Sequence, residues 1–117
     1  ETIWSESDAI SLHCPLTDDN RGLLNADTLA RCKQGVIVVN TARGGLIDEA
    51  ALLAAVQSGQ VRMAGLDSFA VEPMTAGHPF QHQPGFILSP HIGGVTSDAY
   101  VNMGLGAARN ALAVLNG

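Results

Sequence analysis

The 117 residues suffice for one small domain with a single core and not for two. Hydrophobic residues make up 46% and charged residues only 15%, so much of the surface is expected to meet a neighbour or a deep core. A net charge of −5 with six scattered Lys and Arg argues against a nucleic-acid footprint, and no apolar run approaches the roughly 20 residues of a membrane span.

Taken in order, Ile3-Trp4 reads as the tail of a helix that begins at or before Glu1, followed by the polar connection Ser5–Asp8. The start on Glu1 without methionine, and the stop at Asn116-Gly117 where a helix would be capped, lead us to expect a piece of a longer chain. No signal-peptide pattern is read. Ala9–His13 is a predicted strand, halted at Cys14-Pro15 because proline cannot donate to a ladder. After the polar Thr17–Gly22, both Asn25 and Asp27 are candidate caps for a short helix carrying Leu29 and Cys32, closed by Gly35.

Val36-Ile37-Val38-Val39 is a continuous apolar run, predicted to be a strand buried on both faces. It stops at Asn40-Thr41 and delivers Arg43 into the Gly44-Gly45 turn, and Asp48 then offers an N-cap to an alanine-rich helix ending at Gly59. Val61–Asp67 is the third predicted strand. The next stretch of about 18 residues holds Glu72-Pro73, His78-Pro79 and His82, and loops beyond about 12–15 residues are usually functional or disordered. Phe86–Leu88 is a brief fourth strand before Ser89-Pro90-His91. Thr96 or Ser97 opens a last helix whose Val101, Leu105, Ala108, Leu112 and Leu115 form one apolar stripe. Gly104 and Gly106 within it suggest the close approach of another backbone.

Alternating strands and helices at this spacing predict an α/β fold with a parallel sheet of Rossmann type. In such a sheet every strand ends on the same edge, where open α/β sheets bind their ligands. The residues following the strands therefore converge: His13; Thr41, Ala42 and Arg43; Asp67 and Glu72; His91, Gly93 and Gly94. A guanidinium recognises a carboxylate through two parallel hydrogen bonds and polarises an adjacent carbonyl. A histidine exchanges protons near neutral pH, and a neighbouring carboxylate fixes its tautomer. Arg43, Glu72 and His91 together suit proton-coupled hydride transfer on a small 2-oxo or 2-hydroxy acid. A zinc site is the competing chemistry, from the His78-x-x-x-His82 spacing with His91 behind. Pro79 and Pro84 oppose the helix it needs, and no cysteine lies nearby. Cys14 and Cys32 form no Cys-x-x-Cys and read as reduced thiols of a cytoplasmic protein. No Gly-x-Gly-x-x-Gly follows any strand, so a phosphate-binding turn is expected upstream of Glu1.

Five segments carry a family resemblance: Ser11–Thr17, Val39–Asp48, Gly65–Phe69, Glu72-Pro73 and Ser89–Gly94. In order and wording they resemble the D-isomer-specific 2-hydroxyacid dehydrogenases, with phosphoglycerate dehydrogenases the nearest type and glyoxylate/hydroxypyruvate reductases beside them. The resemblance implies that Arg43 binds the substrate carboxylate and carbonyl, that His91 is the acid/base and that Glu72 orients it. It implies NAD, with NADP as the open alternative, contacted by His13, Thr41, Ala42, Arg43, Asp67, His91, Gly93 and Gly94. Residues 1–117 would form the C-terminal part of a dinucleotide-binding domain, with 96–116 leading back toward a substrate domain, in a dimeric parent. Departures are small: Ser68 stands where the family often has valine, and Ala70-Val71 replaces a commoner acidic spacing. The resemblance extends to transcriptional corepressors, so a nucleotide-sensing interaction module is the alternative, and an inactive fragment is a third reading. The acidic balance and the lack of a basic or low-complexity tail favour the enzyme.

Overall fold

The computed structural model describes residues 2–117, so the helix start expected at Glu1 lies outside the described residues. Helix α1 (Thr2–Glu6) leads into strand β1 (Ala9–Leu12), and helix α2 (Ala26–Ala30) into β2 (Val36–Asn40). Helix α3 (Glu49–Ser58) precedes β3 (Val61–Leu66), a long loop precedes β4 (Phe86–Leu88), and helix α4 (Ser97–Leu115) ends the chain. The four strands form one parallel sheet in the order β1-β2-β3-β4. The fold is a parallel α/β sheet of Rossmann type.

Local chemistry explains where the helices begin and end. Asn25 caps α2 by accepting from the Asp27 and Thr28 amides, while Thr28 Oγ1 accepts from the Asn25 amide in return. That helix stops at Ala30, and Gly35, expected to close it, instead turns the chain with φ +78° just ahead of β2. Asp48 caps α3 through the Ala50 and Ala51 amides, and Gly59 ends it in the left-handed conformation. Thr96 caps α4.

Register decides which side chains are buried. Leu12, Asn40, Leu66 and Leu88 lie opposite one another across the sheet, as do Ile10, Val38, Ala64 and Phe86. This face carries the core together with Leu24, Leu46, Leu29 of α2 and Leu52 of α3. The other face presents Ser11, Val39, Gly65 and Ile87, with Ile87 62% exposed. The expectation that β2 is buried on both faces is therefore corrected: Val36, Val38 and Asn40 are buried, but Ile37 and Val39 only partly. An apolar run marks strand character, and burial then depends on what covers each face.

Between β3 and β4 the long loop takes the place of a crossover helix. A single 3-10 turn (Pro79–His82) anchors it, with Phe80 buried and stacked on Phe86 at 4.2 Å. Among the described residues nothing buries the apolar stripe of α4: none of the helix's residues is buried, and Leu105 and Leu112 are exposed. The close backbone neighbour expected at Gly104 and Gly106 is not found among the described residues: a Cβ placed on either would meet nothing within 4 Å. Among the described residues no helix is long and apolar enough to cross a membrane.

The exposed α4 stripe and bare sheet face make this chain sticky. We expect it to self-associate in sedimentation runs and to bind an apolar-surface dye. Leu105→Gln with Leu112→Gln should weaken both effects, and a dye-silent, monodisperse wild-type monomer would contradict this reading.

Candidate active site at the carboxyl edge of the sheet

The turn after β2 is set by Asn40, the last residue of the strand and fully buried. Its Oδ1 accepts from the Ala42 amide at 3.0 Å and its Nδ2 donates to the Arg43 carbonyl at 2.9 Å. A buried amide must satisfy both of its ends, and here it does so by folding residues 41–43 back on the strand. Arg43 is thereby lifted clear of the core, with its Nη1 donating to the Ala42 carbonyl at 2.7 Å. Thr41 is exposed beside it and Ala42 half-buried.

Asp67, the residue after β3, is only 5% exposed. Its Oδ1 accepts from Ser89 Oγ at 2.5 Å and from the Ile92 amide at 2.9 Å, and its Oδ2 accepts from the Gly93 amide at 2.8 Å. The carboxylate thus closes the turn after β4 upon the end of β3. A Cβ on Gly93 would sit 2.9 Å from Asp67 Oδ2, so a side chain there would have to push the carboxylate aside. Burial pushes the Asp67 carboxyl up, but the Ser89 hydroxyl, the two amides and nearby His91 outweigh it and hold the group below its ordinary range.

This turn holds His91 at φ 57°, a left-handed conformation that few non-glycine residues adopt. Its Nδ1 lies 2.7 Å from Glu72 Oε2, while Glu72 Oε1 accepts from the Phe69 amide at 2.9 Å. The Glu72 carboxyl is held below its usual range, first by the hydrogen bond with His91 and then by the Phe69 amide; burial opposes this, and the charges of His91 and Arg43 assist. The pair borders a cavity of about 600 Å³ lined by Phe69, Met74, Leu88 and Pro90 among others. Arg43 borders a second recess, of about 540 Å³, with His13, Cys14, Leu16 and Ala42. His13 is exposed, its Nε2 2.7 Å from Ser11 Oγ.

The residues singled out in the sequence thus fall into two adjoining groups. Glu72 and His91 meet directly; Arg43 and His13 share the neighbouring recess, and Arg43 reaches Glu72 through its charge. Asp67, expected against the cofactor, has both carboxylate oxygens engaged in holding the His91 turn. Thr41 is exposed at this edge, and a Cβ on Gly94 would meet nothing within 4 Å, so both are open to the space beside the strand ends. Three contributors have roles that the sequence does not reveal: Asn40, Ser89 and Gly44. In the sequence Asn40 is only the polar stop of an apolar run, Gly44 only part of a Gly-Gly turn, and Ser89 only the residue ahead of Pro90-His91. The two histidines weighed as zinc ligands are used otherwise or apart. His78 faces Glu49 and caps the 3-10 turn, and among the described residues no group of three His, Cys, Asp or Glu is placed to hold a metal ion.

Because the folded Asp67 titrates below its unfolded value, its contribution to stability is complete above the unfolded pKa of about 3.9. It is lost as pH falls through the folded value. Denaturant midpoints of the wild type should therefore fall steeply below about pH 4. Asp67→Asn should be less stable at pH 7, where its amide NH₂ meets backbone donors, and its midpoint should vary less with pH in the acid range. An unchanged acid slope would show that Asp67 does not hold the turn.

Comparison with known proteins bears on the same residues. The family model described as D-isomer specific 2-hydroxyacid dehydrogenase, NAD binding domain, matches residues 1–93. A hydroxypyruvate reductase of Thermotoga maritima is 47% identical over 107 residues, covering 90% of this chain and 35% of its own length. A D-3-phosphoglycerate dehydrogenase of Bacillus subtilis is 42% identical over all 117 residues, which span 22% of it. The crystal structure of a protein from Thermus thermophilus superposes with a TM-score of 0.93 at 42% identity, over 98% of this chain and 37% of that one. The chain thus spans about a third or less of the length of the curated relatives named here. With its sheet, its strand-end residues and its sequence in agreement, this chain belongs to the NAD binding domain family of the D-isomer specific 2-hydroxyacid dehydrogenases.

Proposed function

We propose that this chain supplies the acid–base and substrate-anchoring residues of an enzyme transferring a hydride between NAD(H) and a small D-2-hydroxy or 2-oxo acid. The observation that carries the proposal is the 2.7 Å contact between His91 Nδ1 and Glu72 Oε2, placed at the carboxyl edge of the sheet near Arg43. With Nδ1 committed to Glu72, the ring proton available for exchange sits on Nε2. During reduction His91 gives that proton to the carbonyl oxygen as hydride reaches the carbonyl carbon, and during oxidation it takes the proton back. Arg43 holds the substrate carboxylate through the guanidinium donors left over from its bond to Ala42, once substrate bridges the two recesses. NAD, when bound, supplies or accepts the hydride. Thr41, Ala42, Gly93 and Gly94 would lie along its nicotinamide half, with His13 at the rim. The Bacillus and Thermotoga relatives favour a phosphoglycerate or hydroxypyruvate type of substrate. The α4 helix, residues 96–116 with their flanks, would lead to a substrate domain, and its uncovered stripe fits a dimeric parent.

The test is NADH oxidation by a protein that carries this sequence with its substrate and phosphate-binding parts, against hydroxypyruvate, glyoxylate and other 2-oxo acids. His91→Ala should lower turnover by about 10²–10⁴-fold, the usual worth of a general acid–base group. Arg43→Lys should act mainly on KM, since an ammonium cannot reproduce the guanidinium fork. Near-wild-type turnover by His91→Ala would overturn the assignment.

A further inference from the structure

We infer that Glu49, at the start of α3, is a positioning residue that fixes the Glu72 loop against the turn bearing Arg43. The inference rests on the reading of Glu72 and His91 as the acid–base pair. Two acids stand together at this helix start, and Asp48 alone satisfies the cap. An acid in the first turn ordinarily does no more than face the helix dipole from solvent. Glu49 does something else: its Oε1 accepts from the Ala70 amide at 2.8 Å, and its Oε2 lies 3.5 Å from His78 Nε2. Both side chains are largely covered, at 24% and 20% exposure.

The two attachment points flank Glu72 on the same loop. Ala70 follows Phe69, whose amide donates to Glu72 Oε1. His78 is fixed from its other side, its Nδ1 accepting from the Phe80 amide at 3.4 Å and its ring set edge-on to buried Phe80 at 4.7 Å. One carboxylate therefore ties both arms of the loop to α3. An independent contact works in the same place. A Cβ on Gly44 would fall 1.9 Å from the Phe69 carbonyl carbon and 2.4 Å from the Ala70 nitrogen, so the Arg43 turn and the Glu72 loop touch backbone to backbone. Misplacing a catalytic partner by about 1 Å can cost on the order of 10²-fold in rate, so these ties bear directly on how Glu72 meets His91.

The inference is tested on the chain itself by carbon-13 NMR titration of the Glu72 carboxyl, with hydrogen exchange of the Phe69 and Ala70 amides. The Ile92 and Gly93 amides, bound to Asp67, serve as internal references for the intact fold. Glu49→Ala should move the Glu72 titration up toward the ordinary range and speed Phe69 exchange by roughly tenfold, the size expected for one lost hydrogen bond. The reference amides should not change. His78→Phe keeps the ring contact with Phe80 but loses the Glu49 partner and the acceptor for the Phe80 amide. It should shift Glu72 in the same direction by less, and it decides the matter if Glu49→Ala does not fold. Glu72 titration and Phe69 exchange unmoved in both folded variants would overturn the role of Glu49. His91→Ala separates this from the functional reading: if that change leaves the Glu72 titration where it was, the acid–base pair itself fails, whatever Glu49 does.

Discussion

The candidate site depends on one buried carboxylate. Asp67 ends β3, yet its oxygens are spent on the turn after β4, through the Ser89 hydroxyl and the Ile92 and Gly93 amides. Three donors compensate the cost of burying the charge. They also determine that His91 leaves the sheet in a left-handed conformation with its Nδ1 directed at Glu72. Without that anchor the residues 89–93 would be an exposed polar turn with no reason to hold one shape.

Around the anchor, each loop is set by a different neighbour. Asn40 shapes the Arg43 turn from within β2; Gly44 lets that turn meet the backbone of Phe69 and Ala70; Glu49 and Phe80 hold the long loop at its two arms. The parallel sheet brings four strand ends to one edge, and these buried polar contacts convert nearness into geometry. Fold and site are thus two layers of the same construction: apolar register places the strands, and buried hydrogen bonds aim the side chains.

Much of this was legible in the sequence. The apolar run Val36–Val39 and the short apolar-patterned stretches Ala9–Leu12 and Val61–Leu66 pointed to the strands, because such patterns survive without knowledge of partners. Asp48, Gly59 and Thr96 announced their caps by local chemistry alone. The end of α2 did not follow from Gly35, because the chain leaves the helix at Ala30 and Gly35 serves the turn into β2 instead. Burial of Ile37 and Val39 and the surroundings of Gly104 depend on elements outside the strand or helix concerned, which no local pattern encodes. In the site, residue types and order pointed to Arg43, Glu72 and His91. The partners Ser89 and Glu49 were hidden because each acts across a separation fixed only by the folded chain, Ser89 on Asp67 from 22 residues away and Glu49 on Ala70 from 21.

The central claim is that Glu72 holds His91 by Nδ1 and leaves Nε2 to exchange the proton. Nitrogen-15 NMR of the imidazoles, in the pH range where His91 is neutral, tests this most directly. The account predicts the tautomer with its proton on Nδ1, shielded from exchange by Glu72, and a loss of that preference in Glu72→Gln. A neutral His91 found with its proton on Nε2, and indifferent to Glu72→Gln, would contradict it.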